Sequence, residues 1–341
     1  MSRAGGPGAE ALPVRQSLLE ESVLLEEIAG AYAAAVGAPR RCRLWLSGGG
    51  DVYLVDAERG SYVLRLYRAG DRSDGEVAYE LAAVRHLARR GVPVAAPVRR
   101  ADGAWFRALA APEGPRQAVL FAAAPGREAF DRPGYARLYG RSVAAVHAAA
   151  ADFRSAHPRF RLDLAVLLER PLARLAPLLA DRPADWRYLL DLAARLRAGL
   201  AARSAGLDWG FCHGDVLGSN AHLDGDTATG TLTHFDFDDC GPGWRAYDLA
   251  TYRWITAWRT PESAAARWAE YLDGYRAQRP IGAADLAAVP LFVALREFWV
   301  VGQQIRNASL RGHYWVQGDY VDRRLRFLRE WERQHPGATF P

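Results

Sequence analysis

Lysine is missing from this chain: all 44 of its Lys and Arg positions are arginine, and the net charge is +5. Any task that a lysine usually performs therefore falls to a guanidinium or goes undone. The two cations are not interchangeable, one being a planar fork of donors and the other a compact point charge. Cysteine is scarce as well. Cys42, Cys212 and Cys240 are too few and too far apart for a disulfide framework, and no CxxC pair offers a zinc site, which points to a reducing, cytoplasmic setting. Apolar runs stay short of the roughly 18 residues that span a bilayer, so no membrane partner is expected. Nor is there a basic block: the arginines are interspersed with Asp and Glu, which argues against a nucleic-acid partner despite the positive balance. The first 16 residues are rich in Gly, Ala and Pro, lack the apolar core of a signal peptide and read as a loose tail.

What is present is a 341-residue chain, 50% hydrophobic and 24% charged, enough to bury one large core or two lobes. Ser17 to about Val36 has the apolar spacing of an amphipathic helix, with Ser17 and Glu20 at capping-box distance. Residues 42–46, 52–55 and 61–67 read as a three-stranded meander, its first turn being Ser47-Gly48-Gly49-Gly50-Asp51. A helix follows over 75–90, stopped by Gly91 and Pro93. Two more strands, 104–109 and 117–122, complete a small five-stranded sheet with one helix inserted after the third strand. Pro125-Gly126 marks a change of character. Helices dominate beyond it, over 133–150, 162–180, 184–204, 244–259, 262–278, 284–310 and 319–334, with short strands at 210–212 and 231–235. The expected organisation is a tail (1–16), an N-terminal lobe (17–124) and a helical C-terminal lobe (125–341).

Chemistry concentrates in Phe211-Cys212-His213-Gly214-Asp215-Val216-Leu217-Gly218-Ser219-Asn220, whose core is H-G-D-x-x-x-x-N. His234-Phe235-Asp236-Phe237-Asp238-Asp239 follows, and then Tyr247-Asp248-Leu249-Ala250. Phosphoryl transfer needs a carboxylate to orient the attacking hydroxyl and receive its proton, together with oxygen ligands for a metal that holds the transferring phosphate. Asp215 suits the first role. Asn220, with a neutral oxygen, and Asp236, with an anionic one, suit the second, and Mg²⁺ prefers such ligands.

In order and spacing these segments resemble the aminoglycoside phosphotransferase and choline kinase superfamily, distant relatives of the protein kinases. The Asp236-Phe237-Asp238-Asp239 wording is closest in flavour to its stress-response kinase and type-II homoserine kinase branch. The resemblance runs over roughly residues 20–335. It implies an α+β, bilobal, protein-kinase-like fold, with a small antiparallel-sheet N-lobe carrying one helix and a larger helical C-lobe. It implies ATP and Mg²⁺, with Asp215 as catalytic base and Asn220 and Asp236 as metal ligands. His213 would hold the catalytic loop and Asp248 would brace it, while Asp238 would contact either metal or acceptor.

In the N-lobe the same resemblance sets the Ser47, Gly48, Gly49 and Gly50 turn over the phosphates, where glycine N–H groups can cradle oxygens. It puts Arg65 on the strand that normally presents a phosphate-pairing lysine. Glu80 would hold that cation, with Glu76 as the rival. Adenine would be read by backbone groups around Phe121 to Ala123. His147 matches a helix-end histidine that is more often packed than catalytic, and nothing marks Cys240 as a nucleophile.

The acceptor is the least legible part. Residues 251–341 hold 13 arginines against nine acidic residues, so this region does not advertise the acidic cleft that suits a polycation. Seven of the 11 tryptophans lie at or beyond Trp244, most of them for helix packing and one or two for a pocket. Arg245, Arg253 and Arg296 could meet an anion, with surface or ion-pair roles the more ordinary expectation. The short interval between Asp236 and Tyr247 leaves no room for a regulated activation loop, favouring a small hydroxyl-bearing acceptor. The alternatives are a protein Ser/Thr kinase and a catalytically inactive nucleotide-binding relative. The oligomeric state is not legible.

Overall fold

The computed structural model describes residues 12–336. Most of the expected tail lies outside the described residues. By its contacts the chain forms two compact units. The first comprises the described residues up to Ser73 together with Val98–Leu120. The second comprises Asp74–Pro97 and everything from Phe121 onward. Helix 74–89, although inside the span 17–124 in sequence, counts with the helical unit.

The first unit opens with α1 (Glu21–Val36), β1 (Pro39–Ser47), β2 (Gly50–Ala57) and β3 (Gly60–Tyr67). After α2 (Asp74–Arg89) of the second unit come β4 (Arg107–Leu109) and β5 (Arg116–Ala122), and the sheet runs β1-β2-β3-β5-β4. β1, β2 and β3 pair antiparallel, as do β4 and β5. The alternation Tyr53, Val55 on β2 and Leu64, Leu66 on β3 puts one apolar row on the face that packs against Leu24, Ile28, Tyr32 and Val36 of α1, as period-2 and period-3.6 patterns require. The Ser17–Glu20 capping box does not form. Helix α1 starts at Glu21 with no side-chain cap, and Ser17 instead bonds Glu113 through its Oγ (2.8 Å) and N–H (3.1 Å). A long-range carboxylate outcompetes the local one.

The second unit holds α3 (Tyr135–Ala149), α4 (Arg170–Leu175), α5 (Pro183–Ala201), β6 (Trp209–Cys212), β7 (Ala221–Asp224), β8 (Thr231–His234), β9 (Gly241–Trp244), α6 (Arg245–Arg259), α7 (Ala264–Arg276), α8 (Ala283–Arg311) and α9 (Tyr320–Gln334). The single helix expected over 162–180 is broken into a π turn (Ala165–Glu169), α4 and a 3₁₀ turn (Ala176–Leu179). Pro171 and Pro177 account for the breaks, because neither supplies an N–H to the helix ladder. β7 and β9 were not expected: β7 pairs with β8, and β9 pairs with β6. Two antiparallel pairs thus hold the loop between β6 and β7. Below them Tyr247, Tyr252, Phe292, Leu295 and Phe298 of α6 and α8 form part of one large core.

Candidate active site

Residues 213–220 leave β6 as a loop that is fastened at nearly every peptide. Asp248, fully buried on α6, accepts the N–H of His213 (2.7 Å) and of Gly214 (2.8 Å), one on each carboxylate oxygen. His147 on α3 bonds the same carboxylate through Nε2 (2.9 Å) and Tyr275 through Nδ1 (2.8 Å). Burial alone would raise the Asp248 carboxyl and lower His147. The bonds from His147 and Gly214 reverse the first effect and hold Asp248 below its ordinary value, while His147 stays low. A neutral His147 therefore donates to an ionised Asp248. His213 shares its ring between the carbonyl of Phe235 (Nε2, 3.1 Å) and the N–H of Asp215 (Nδ1, 3.3 Å). Gly214 has φ +82°, and a Cβ there would lie 2.2 Å from the carbonyl of Asp239, so the loop can take this path only with glycine. Two tyrosines of α3 grip the far side: Tyr135 donates to the carbonyl of Gly218 (2.5 Å), and the N–H of Gly218 donates to Tyr139 (3.1 Å).

Asp215, the one carboxylate of residues 213–220, has a side chain that is 17% exposed. Asn220 donates its Nδ2 to the Asp215 carbonyl (2.9 Å) and to Oδ2 (2.8 Å). Since the amide nitrogen faces Asp215, the amide oxygen of Asn220 is turned away and left for another partner. The Asn220 carbonyl accepts the N–H of Phe235 (3.0 Å), so the residue before Asp236 is stitched to Asn220 at the open end of the β7–β8 pair. Asp236 itself is exposed and has φ 61°, ψ 58°, the single left-handed non-glycine among the described residues. Such backbone costs of order 1–3 kcal/mol and clusters at functional sites. Asp238 lies in the 3₁₀ turn Phe237–Asp239, where its carbonyl accepts from Arg159. Arg159 also donates to the carbonyls of Cys240 (2.6 Å) and Glu76 (3.0 Å). Cys240 is buried and its thiol is pushed up by that burial, which suits packing and not nucleophilic attack.

The ion-pair role expected for Arg296 is met, and its partner, Asp215, is the residue that spacing could not name. Arg296 of α8, 1% exposed, donates Nη2 to Asp215 Oδ1 and Nη1 to the Gly214 carbonyl (3.0 Å) and the Tyr247 hydroxyl (3.2 Å). Its guanidinium lies over the rings of Trp299 (4.3 Å) and Trp254 (5.5 Å). The signal was present: Arg296 and Glu297 interrupt an otherwise apolar stretch from Leu286 to Val301. Arg245, by contrast, pairs with Asp208 (2.6 Å).

In the first unit, Ser47 and Gly50 bracket a tight turn closed by the Gly48 N–H on the Gly50 carbonyl (2.8 Å). Gly50 passes so near Leu66 that a Cβ would sit 2.6 Å from its carbonyl. Ser47 Oγ donates to Asp51 (2.6 Å), and Asp51 is ion-paired to Arg116 (2.7 Å). Arg116 also donates to the carbonyls of Tyr67 (3.0 Å), Ser17 (2.9 Å) and Leu66 (3.3 Å). Arg65 lies on β3 opposite Val52, its guanidinium 5.1 Å from the Tyr67 ring centre. Of the two α2 glutamates, Glu80 is the buried one, at 1% exposure. Phe121 ends in a bridge to Pro97, and the Ala122 N–H is taken by Ala96 (2.9 Å), so the polar groups of Phe121 and Ala123 are the next in line.

Comparison with known proteins identifies the class. The Phosphotransferase enzyme family profile matches residues 46–281. A Deinococcus radiodurans protein is 40% identical over 330 residues, covering 96% of this chain and 94% of its own. Homoserine kinase of Methylobacterium sp. (strain 4-46) is 31% identical over 241 residues, 68% of this chain and 69% of its own. The structure of amicoumacin kinase hAmiN in complex with AMP-PNP, Ca²⁺ and Ami superposes with a TM-score of 0.75 at 23% identity, covering 93% of this chain and 94% of that one. The chain belongs to the phosphotransferase enzyme family and has its α+β, kinase-like fold. It is a phosphotransferase, with relatives that act on small molecules.

Proposed function

We propose that the protein is an ATP- and Mg²⁺-dependent kinase that moves the γ-phosphate to a hydroxyl group of a small molecule, with Asp215 as the base. The observation that carries this is the orientation of Asn220: its Nδ2 is spent on Asp215, so its oxygen and the exposed carboxylate of Asp236 form a hard, all-oxygen donor set of the kind Mg²⁺ takes. When bound, the metal would neutralise charge on the phosphates. Each Asp215 oxygen has two lone pairs, and each uses one on Arg296 or Asn220. One lone pair on each oxygen is left, and either can accept the proton of the acceptor hydroxyl as its oxygen bonds to the γ-phosphorus and the bridge to ADP breaks. Ser47 to Gly50 and Arg65 are proposed to meet the phosphates, and Phe121 and Ala123 the adenine, with Glu80 in a supporting role. His213 and Asp248 hold the loop, and Asp238 is a candidate for the metal or the acceptor.

A small acceptor is favoured over a protein because only the turn Phe237–Asp239 and strand β9 lie between Asp236 and α6. The homoserine kinase likeness supports the same choice, as does the hAmiN complex for a nucleotide and a divalent cation. The test joins calorimetry of MgATP binding to a screen of hydroxy metabolites and antibiotics, L-homoserine and amicoumacin among them, with mass spectrometry of the product. Asp215→Ala is expected to keep ATP affinity and to lose about 10²–10⁴-fold in turnover. Wild-type turnover in that variant, or turnover lost because ATP no longer binds, would remove Asp215 from the role. Absence of MgATP binding at millimolar concentration would favour an inactive relative.

A further inference from the structure

We propose that Arg296 is a positioning residue for the reaction: it sets the direction in which Asp215 presents its carboxylate. The inference rests on Asp215 being the base and adds a partner 81 residues further along the chain. Two clamps of the same form hold Asp215. Asn220 takes one backbone carbonyl, that of Asp215, and one carboxylate oxygen, Oδ2. Arg296 takes the carbonyl of Gly214 and the other carboxylate oxygen, Oδ1. Each clamp ties the side chain to its own loop backbone, from opposite oxygens, so the plane of the carboxylate is defined and not merely its position.

A purely structural arginine would share its bonds with its own surroundings. Arg296 does not: its Nε has no acceptor among the described residues, and both Nη atoms go to the catalytic loop and to Tyr247. The rings of Trp254 and Trp299 flank the guanidinium, which removes the rotamer freedom a long side chain would otherwise have. Burying a cation is costly unless every bond is well made. Here one bond is made to the Asp215 carboxylate and another to the Gly214 carbonyl next to it in the loop, with the Tyr247 hydroxyl taking the third. The geometry also implies that lysine is a poor substitute, since one ammonium lacks the fork that reaches a carbonyl and a carboxylate together.

The experiment compares Arg296→Met, Arg296→Lys, Asp215→Ala and the Arg296→Met/Asp215→Ala double variant. Single-turnover release of γ-phosphate from MgATP is measured to water and to L-homoserine, beside calorimetric ATP affinity. Crystal structures with Mg²⁺ and AMP-PNP are determined for the two single Arg296 variants. Misplacing a reacting group by about 1 Å costs on the order of 10²-fold, so Arg296→Met is expected to lose about that factor in rate with ATP affinity within twofold. Arg296→Lys should regain part of it. In the Asp215→Ala background Arg296→Met should cost nothing further, because residues acting as one unit are not additive. The Arg296→Met structure should show the Asp215 carboxylate rotated. An unmoved carboxylate, additive losses in the double variant, or a rate loss that follows ATP affinity would overturn the proposal. If Asp215→Ala were itself without effect, the fault would lie in the kinase reading and not in Arg296.

Discussion

Each unit of the molecule contains a buried arginine–aspartate pair, and the two pairs differ in exposure. In the first unit Asp51 and Arg116 are both wholly enclosed, at 0% side-chain exposure. In the second Arg296 is 2% exposed, but Asp215 keeps 17%. The chemical groups are the same, but Arg116 spreads its other bonds over three backbone carbonyls, while Arg296 takes one carbonyl and the Tyr247 hydroxyl. The larger difference is the open edge. Asp51 has been used up in holding β2, β3, β5 and the segment at Ser17 together. Asp215 is held by its neighbours and still keeps an accessible face. A buried ion pair is thus no guide to function until the exposure of each partner is known.

The comparison is broken most directly by removing the enclosed carboxylate. Asp51→Ala leaves the buried Arg116 without the carboxylate at its Nη2, with Glu113, 3.7 Å from Nη1, as its remaining anion, and losses from breaking a buried pair run to about 3–5 kcal/mol. Urea unfolding should show a cost of that order. Asp215→Ala should cost less, since solvent can reach the vacated position. If Asp215→Ala proved the more destabilising of the two, the distinction between a structural and a presented carboxylate would fail.

Acid should separate the two units. Every histidine of the chain lies in the second unit, none in residues 1–73 or 98–120. Burial lowers His147 and pushes His234 down to about 3. Below the ordinary value of 6.5, the unfolded chain takes up protons that the folded chain refuses, so stability falls as pH falls. The slope is at most about 1.4 kcal/mol per pH unit for each histidine. At pH 5 this amounts to about 2 kcal/mol for His234, with His147 adding in the same direction. Peptide-resolved hydrogen exchange, corrected for its intrinsic pH dependence, should lose protection in the second unit first between pH 7 and 5. Earlier loosening of the first unit would contradict this.

The smallest effect sharpens the picture of the loop. Tyr135→Phe leaves the Gly218 carbonyl without its buried donor, which should cost about 1–3 kcal/mol and lower Tm, with ATP affinity unchanged. A variant as stable as the parent would mean that Tyr139 and the surrounding packing suffice.

Much of this was readable in the sequence. The five-stranded sheet with its inserted helix and the long helices followed from periodicity, while the site expected in the loop His213 to Asn220 with Asp236 came from the order of the motifs and their family resemblance. What escaped was of two kinds. Local rules lost to distant partners, as when Ser17 left Glu20 for Glu113, 96 residues away. The prolines at 171 and 177 break the helix expected over 162–180 into three short segments. The other kind was partnership across the chain. Arg116 could not be matched to Asp51, nor Arg296 to Asp215, from spacing alone, because ion pairs 65 and 81 residues apart leave no periodic trace. A charged residue inside an apolar run was the only sign that Arg296 gave.

The arginine on β3 carries one more consequence. A chain with no lysine offers no side-chain amine to acylate, so nucleotide reagents that mark kinases by transferring an acyl group to a lysine have nothing to label at Arg65 or anywhere else along its side chains. A guanidinium also keeps its proton through the alkaline range in which an ammonium begins to lose one.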